Sequence, residues 1–186
     1  MYQYGQYCPV AKAVEILGDR WTLLIVRDLL TGTCRFNDLA RGLPGISRSL
    51  LANRLRRLEF MGVVEKIRLP QGRSNTAYYL TDAGRELEQI IGALLGWGTH
   101  WAFAEPAESD LDPLLLMWWM RNRVCVEALP HGRVVIRFDF TGVKMESYWL
   151  LLSREDVSIC QSDPGFDLNV LVTADLAAFF QLWAGR

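Results

Sequence analysis

No segment constrains this chain more than Leu43 to Met61. It opens on Pro44 and Gly45, a pair that favours a tight turn because proline fixes φ and glycine accepts a positive one. Ser47 is a strong N-cap residue, and Ile46 before it with Leu51 after it are spaced as a hydrophobic staple. A helix is therefore predicted from Ser47 to about Met61, with Gly62 as its stop. At about 100° per residue, Leu51, Leu55 and Leu58 gather on one side, while Ser49, Asn53, Arg56 and Arg57 fall roughly opposite. No acid enters that second face before Glu59. One side of this helix requires a core; the other is a row of hydrogen-bonding and cationic groups.

The flanking residues supply that core. Apolar spacing predicts helices over Pro9–Leu17, over Arg20–Leu30 with Asp19 as N-cap, and over Phe36–Gly42. After the Ser47–Met61 helix, Val63–Leu69 and Thr76–Leu80 read as the two limbs of a hairpin, with Pro70–Asn75 between them. A long helix is predicted from about Asp82 to Ala104. Its Leu87, Ile90 or Ile91, Leu94, Trp97 and Trp101 recur every three to four residues. That stripe suits a contact with a second copy of the chain, and it equally suits burial against its own domain.

Two helices joined by a tight turn, the second capped and basic, then a hairpin, make a winged helix-turn-helix. This domain is expected over residues 1–104. Ala104–Asp110, acidic and proline-containing, reads as a linker. Residues 111–186 read as a smaller α+β domain: a helix over Pro113–Val124, strands at Arg133–Phe140, Ser147–Leu152, Val157–Cys160 and Asn169–Thr173, and a helix over Ala174–Trp183. The fold class is α+β throughout.

The pattern on the capped helix points to double-stranded DNA. Arginine bonds bidentately to guanine and asparagine to adenine in the major groove, which suits Asn53, Arg56 and Arg57. Ser47, Ser49 and the helix N-terminus suit phosphate, and Arg48 in the first turn can reach phosphate from the side. Arg54 lies nearer the core edge and is expected to pair with an acid or a backbone carbonyl. The hairpin offers Arg68 and Arg73 for backbone or minor-groove contact.

The net charge of −1 argues against such a partner only until it is divided. Residues 1–103 hold 13 basic and 9 acidic side chains, whereas residues 104–186 hold 7 and 12. The first part is a basic reader and the second an acidic half. No apolar run approaches the ~20 residues of a membrane span, so the protein is expected to be soluble and cytoplasmic. Cys8, Cys34, Cys125 and Cys160 are too scattered for a zinc site, and scattered thiols fit a reducing compartment. His100 and His131 are the only histidines, and no phosphate-binding loop or nucleophile constellation occurs. No catalytic residue, metal or cofactor is expected, and the chain does not read as an enzyme.

Cys8 differs from the other cysteines. It precedes Pro9, a residue favoured at the first position of a helix, and a thiol there feels the positive end of the helix dipole. That environment favours the reactive thiolate, which makes Cys8 a candidate redox sensor.

The run Cys8–Leu30 resembles the opening of HxlR-type bacterial transcription regulators. So do Arg35–Leu39, Leu43–Ser47, Leu51–Leu58, Gly62–Val64 and Tyr79–Gly84, which follow in the order and spacing of that family. The resemblance covers about residues 8–103. It implies a homodimeric winged-helix regulator, with dimer contacts from the N-terminal segment and the long helix, and in some members a sensing cysteine at the position of Cys8. A symmetric dimer implies a pseudo-palindromic operator, and repression is the expected mode.

The second half resembles, less specifically, the sterol-carrier fold, through Gly132–Phe138, Ser147–Leu152, Asp163–Asp167 and Val172–Leu176. That implies a small apolar ligand in a tunnel. The same aromatic residues can instead simply fill a core. The fold would continue past Leu182–Arg186, so this domain is expected to be incomplete. A different overall reading is a lipid or small-apolar-ligand binder whose helix-turn-helix serves protein interaction.

Overall fold

The computed structural model describes residues 3–69, 76–102, 105, 107–142 and 145–185. The chain divides into two units, Met1–Trp97 and Gly98–Arg186.

In the first unit, α1 (Pro9–Leu17), α2 (Thr22–Leu30), α3 (Phe36–Gly42) and α4 (Arg48–Phe60) precede an antiparallel hairpin of β1 (Val64–Arg68) and β2 (Thr76–Leu80). Then come α5 (Asp82–Arg85) and α6 (Leu87–Trp97). The core is built where the leucine pattern requires it: Leu51, Leu55 and Leu58 of α4 are buried against Ile25, Val26 and Leu29 of α2, Leu39 of α3, and Val64 and Leu80 of the hairpin. Burying each such side chain contributes about 1.5–3 kcal/mol, so the apolar side of α4 fixes which side is left for solvent.

Two local features set the geometry. Gly45 has φ +88°, which a side chain rarely adopts, and it closes the turn that delivers the chain to Ser47. At Gly84 the need is space: a Cβ there would lie 2.2 Å from the Val63 carbonyl oxygen. Glycine alone lets α5 approach β1 this closely.

Asp19 does not cap α2. The helix begins at Thr22 with Trp21 at the N-cap in the left-handed region, φ +80°, while the Asp19 carbonyl accepts from Thr22 N at 3.1 Å and the Asp19 side chain turns elsewhere. The single long helix expected from Asp82 is also divided. It turns at Glu86, runs as α6 to Trp97, and passes into a π-helical turn over Gly98–Ala102. Gly92, Gly96 and Gly98 lie in that stretch, and glycine is a weak helix former. The expected end at Ala104 lies outside the described residues.

In the second unit, α7 (Pro113–Arg121) is capped by Asp112, whose carboxylate accepts from Leu114 N and Leu115 N at 2.9 and 3.1 Å. A four-stranded sheet follows, in the order β5-β4-β3-β6. Its strands are β3 (Val134–Thr141), β4 (Glu146–Leu152), β5 (Val157–Cys160) and β6 (Val170–Asp175). The first three form an antiparallel meander, and β6 runs parallel to β3. Asn169 anchors that return: its side-chain oxygen accepts from Val135 N at 2.8 Å and its own N–H donates to the Val135 carbonyl. The last helix, α8 (Leu176–Trp183), is capped by Asp175.

The interior of this unit is aromatic. Phe138 and Phe140 stack at 5.9 Å, and both meet Phe179 of α8 edge-on at 6.0 and 5.5 Å. Trp119 of α7 reaches Phe180 of α8. The rings pack on one another against the sheet. This α+β arrangement carries no sterol-carrier identity of its own.

Candidate nucleic-acid interface

The interface is assembled from the start of α3, all of α4 and the hairpin. Ser47 caps α4, its hydroxyl accepting from Leu50 N at 3.2 Å and lying 3.1 Å from the Ser49 hydroxyl. Opposite the buried leucines, Ser49, Asn53 and Arg56 are exposed. Arg56 donates to the Asn53 side-chain oxygen, so the two groups hold each other in position on the outer face. Arg48 lies over the Phe36 ring at 5.0 Å and donates to Asn37 at 2.7 Å, which extends the polar surface from α4 onto α3.

Arg54 behaves as its position near the core edge requires. Its Nε donates to the Arg20 carbonyl at 3.2 Å, and its guanidinium pairs with Asp19 at 3.1 Å. Arg57 departs from expectation. Its guanidinium donates to the same Asp19 carboxylate and to the Glu15 carbonyl, and its Nε is buried. Its Cα position on the helical wheel suited an outward group, but an arginine has four bonds over which to turn, and here it turns back to the α1–α2 junction. Arg57 is removed from the DNA-facing set.

On the hairpin, Arg68 is exposed opposite Thr76 at the distal end of β1. Arg73 lies outside the described residues. Lys66 shares a strand face with Arg68 and was missed in the sequence; its ammonium lies 6.0 Å from the Tyr78 ring centroid. The two-residue spacing on one strand was the available signal. Burial pushes the Tyr78 phenol above its ordinary pKa, Glu59 adds to this, and Arg56 opposes it.

The apolar stripe of α6 divides in two. Leu87 and Ile91 are partly buried and pack on the core of their own unit. Ile90 and Leu94 are each 45% exposed, Leu95 is 68% and Trp97 61% exposed. Trp101, in the π-helical turn, is 72% exposed. On α1, Val10 and Val14 are also exposed. Cys8 occupies the N-cap of α1, partly buried, with no hydrogen bond from its side chain to the helix.

The second unit holds a cleft of about 390 Å3. Its apolar lining includes Leu111, Phe140 and Leu176, and Glu108, Asp112 and Glu146 bring carboxylates to it. The Tyr148 hydroxyl donates to Glu146 at 2.5 Å. Among the described residues, no His, Cys, Asp and Glu side chains cluster as a metal site, and no helix is long and apolar enough to cross a membrane.

Comparison with known proteins places this geometry in context. The HxlR-like helix-turn-helix family matches residues 16–106. The chain is 41% identical over 98 residues to the HTH-type transcriptional regulator YvaP of Bacillus subtilis (strain 168), covering 52% of this chain and 91% of that protein. It is 34% identical over 103 residues to the HTH-type transcriptional regulator YodB of the same organism, covering 55% and 90%. Among solved structures, PA1607, a candidate transcription factor, superposes with a TM-score of 0.51 at 38% identity, covering 56% of this chain and 72% of the other.

Proposed function

The chain belongs to the HxlR-like helix-turn-helix family of DNA-binding transcriptional regulators, and from that premise we propose that it is a homodimeric repressor that reads a two-fold operator through α4. The observation that carries this reading is the division of α4 itself. Its leucine side is buried, and Ser49, Asn53 and Arg56 stand together on the exposed side. Asn53 and Arg56 read base edges in the major groove; Ser47, Ser49 and Arg48 bind phosphate; Arg68 and Lys66 contact the backbone beside it. Arg73 belongs to the same set by its place in the hairpin sequence. The exposed stripe of Ile90, Leu94 and Trp97 is the contact with a second copy. Family membership sets aside both an enzyme and a helix-turn-helix that serves only protein interaction.

A symmetric dimer requires a symmetric site with half-sites about one helical turn apart. Selection of duplexes from a random pool by the purified chain is expected to enrich such a site. Enrichment of an unsymmetrical site, or of none, contradicts the reading.

Two modulators complete the proposal. Cys8, at the start of α1, is the thiol through which oxidants release DNA; a Cys8→Ser variant that stays oxidant-sensitive contradicts it. The second unit is a module for a small, largely apolar ligand, as the sterol-carrier likeness implies. Native mass spectrometry showing no ligand on protein drawn from its own cells, with Phe140→Ala unchanged in operator response, speaks against that role. The protein works in the cytoplasm, where its operator is.

A further inference from the structure

Asp19 lies outside the exposed face of α4, yet it touches two of the helix's four arginines. Its carboxylate pairs with both Arg54 and Arg57, while the Arg20 and Glu15 carbonyls take a second bond from each. The segment Glu15–Trp21 thus holds one flank of α4 through two guanidinium groups. It also sets the charge that α4 can present. With Arg54 and Arg57 drawn back, Arg48 and Arg56 remain as its exposed cations.

Asp19 supplies the negative charge of this restraint, whereas the Arg20 and Glu15 carbonyls are neutral. Arg57 has a buried Nε with no partner among the described residues, an arrangement that is costly for a cation unless an opposite charge holds it in place. The Asp19 side chain is itself about one-third exposed, so the pair sits at the surface, within one side-chain length of solvent. An arginine released there extends outward along the flank of the helix.

We infer that Asp19 is a specificity-determining positioning residue: it withholds Arg54 and Arg57 from the phosphate backbone, so that binding depends on the contacts of the exposed face. Charge-driven attraction to phosphate is independent of sequence, and each phosphate contact steepens the salt dependence. Two further cations on α4 would raise affinity for every duplex and narrow the margin by which the operator is preferred. A loss of helix positioning alone acts in the opposite direction, weakening binding throughout. The inference rests on the DNA-reading role of α4.

The test is Asp19→Asn in the full chain, with binding to the selected operator and to a scrambled duplex measured across a salt series. The expected result is tighter binding to the scrambled duplex at low salt. The slope of log affinity against log salt should become more negative by roughly 0.9 to 1.8, for one or two new contacts at about 0.9 each. The ratio of operator to scrambled affinity should fall. Weaker binding to both duplexes with an unchanged or shallower slope overturns the proposal. Should that variant not fold, Arg54→Gln with Arg57→Gln supplies the complementary measurement. Withheld arginines leave the parental slope unchanged, and a slope made shallower by about 1 or more overturns the inference. Absence of any operator preference in the parent would fail the DNA-reading role, whereas the slope on the scrambled duplex judges Asp19 alone.

Discussion

Arg54, Arg56 and Arg57 lie within four consecutive positions of one helix and have two different fates. Arg56 stays on the exposed side with Asn53, whereas Arg54 and Arg57 turn back to Asp19. The wheel angles placed Arg54 at the core edge and Arg56 opposite the leucines, but they carry no information on where a long side chain bends. The decisive partner, Asp19, is 38 residues from Arg57 and was itself misread as a helix cap. The second unit offers a sharper residue-scale test. Asp139 accepts from the Ser147 hydroxyl at 2.6 Å and from Arg137 Nε at 2.7 Å, and these bonds hold its carboxyl below the ordinary aspartate range. A carboxyl with a lowered folded pKa stabilises the fold above its unfolded value, about 3.9, and loses that contribution as pH falls through the folded value. Asp139→Asn is therefore expected to lower the unfolding midpoint of this unit at pH 7 and to have a shallower acid dependence below pH 4. Denaturation curves at pH 7 and pH 3 check both, and parallel losses at the two pH values contradict the assignment.

At the scale of elements, the exposed and buried sides of α6 make separable predictions. Leu94→Glu places a charge on the exposed stripe and is expected to shift the protein toward monomer in sedimentation while leaving its helical signal intact. Leu87→Ala removes a side chain packed on the unit's own core, and is expected to cost about 2 kcal/mol of stability with the dimer retained at folding-permissive temperature. A Leu94→Glu protein that remains dimeric contradicts the interface. Periodicity alone could not separate these two sets, because Leu87, Ile91 and Leu94 all satisfy helical spacing. Leu95 falls outside that spacing although it is 68% exposed. The turn at Pro44-Gly45, the Ser47 cap and the hairpin limbs were legible, since each depends on chemistry local to a few residues. The division of the long helix at Glu86 and its π-helical turn were not, because tertiary contacts and glycines act there against a continuous apolar pattern.

Across the whole molecule, a net charge of −1 conceals a basic reader joined to an acidic half. The family match ends at residue 106, and the second unit stands as a four-stranded mixed sheet with a filled aromatic interior. Its topology was not readable from the sequence: the strands were found, but the parallel return of β6 beside β3 depends on pairing over more than 30 residues. The central claim concerns the first unit, where the exposed side of α4 reads DNA. The most direct test is Arg56→Ala, with affinity for the selected operator and a scrambled duplex followed over a salt series. The expected result is a loss of about 1–3 kcal/mol on the operator, a smaller loss on the scrambled duplex and a correspondingly reduced preference. Unchanged operator affinity together with an unchanged preference would contradict the assignment of α4 as the reading helix.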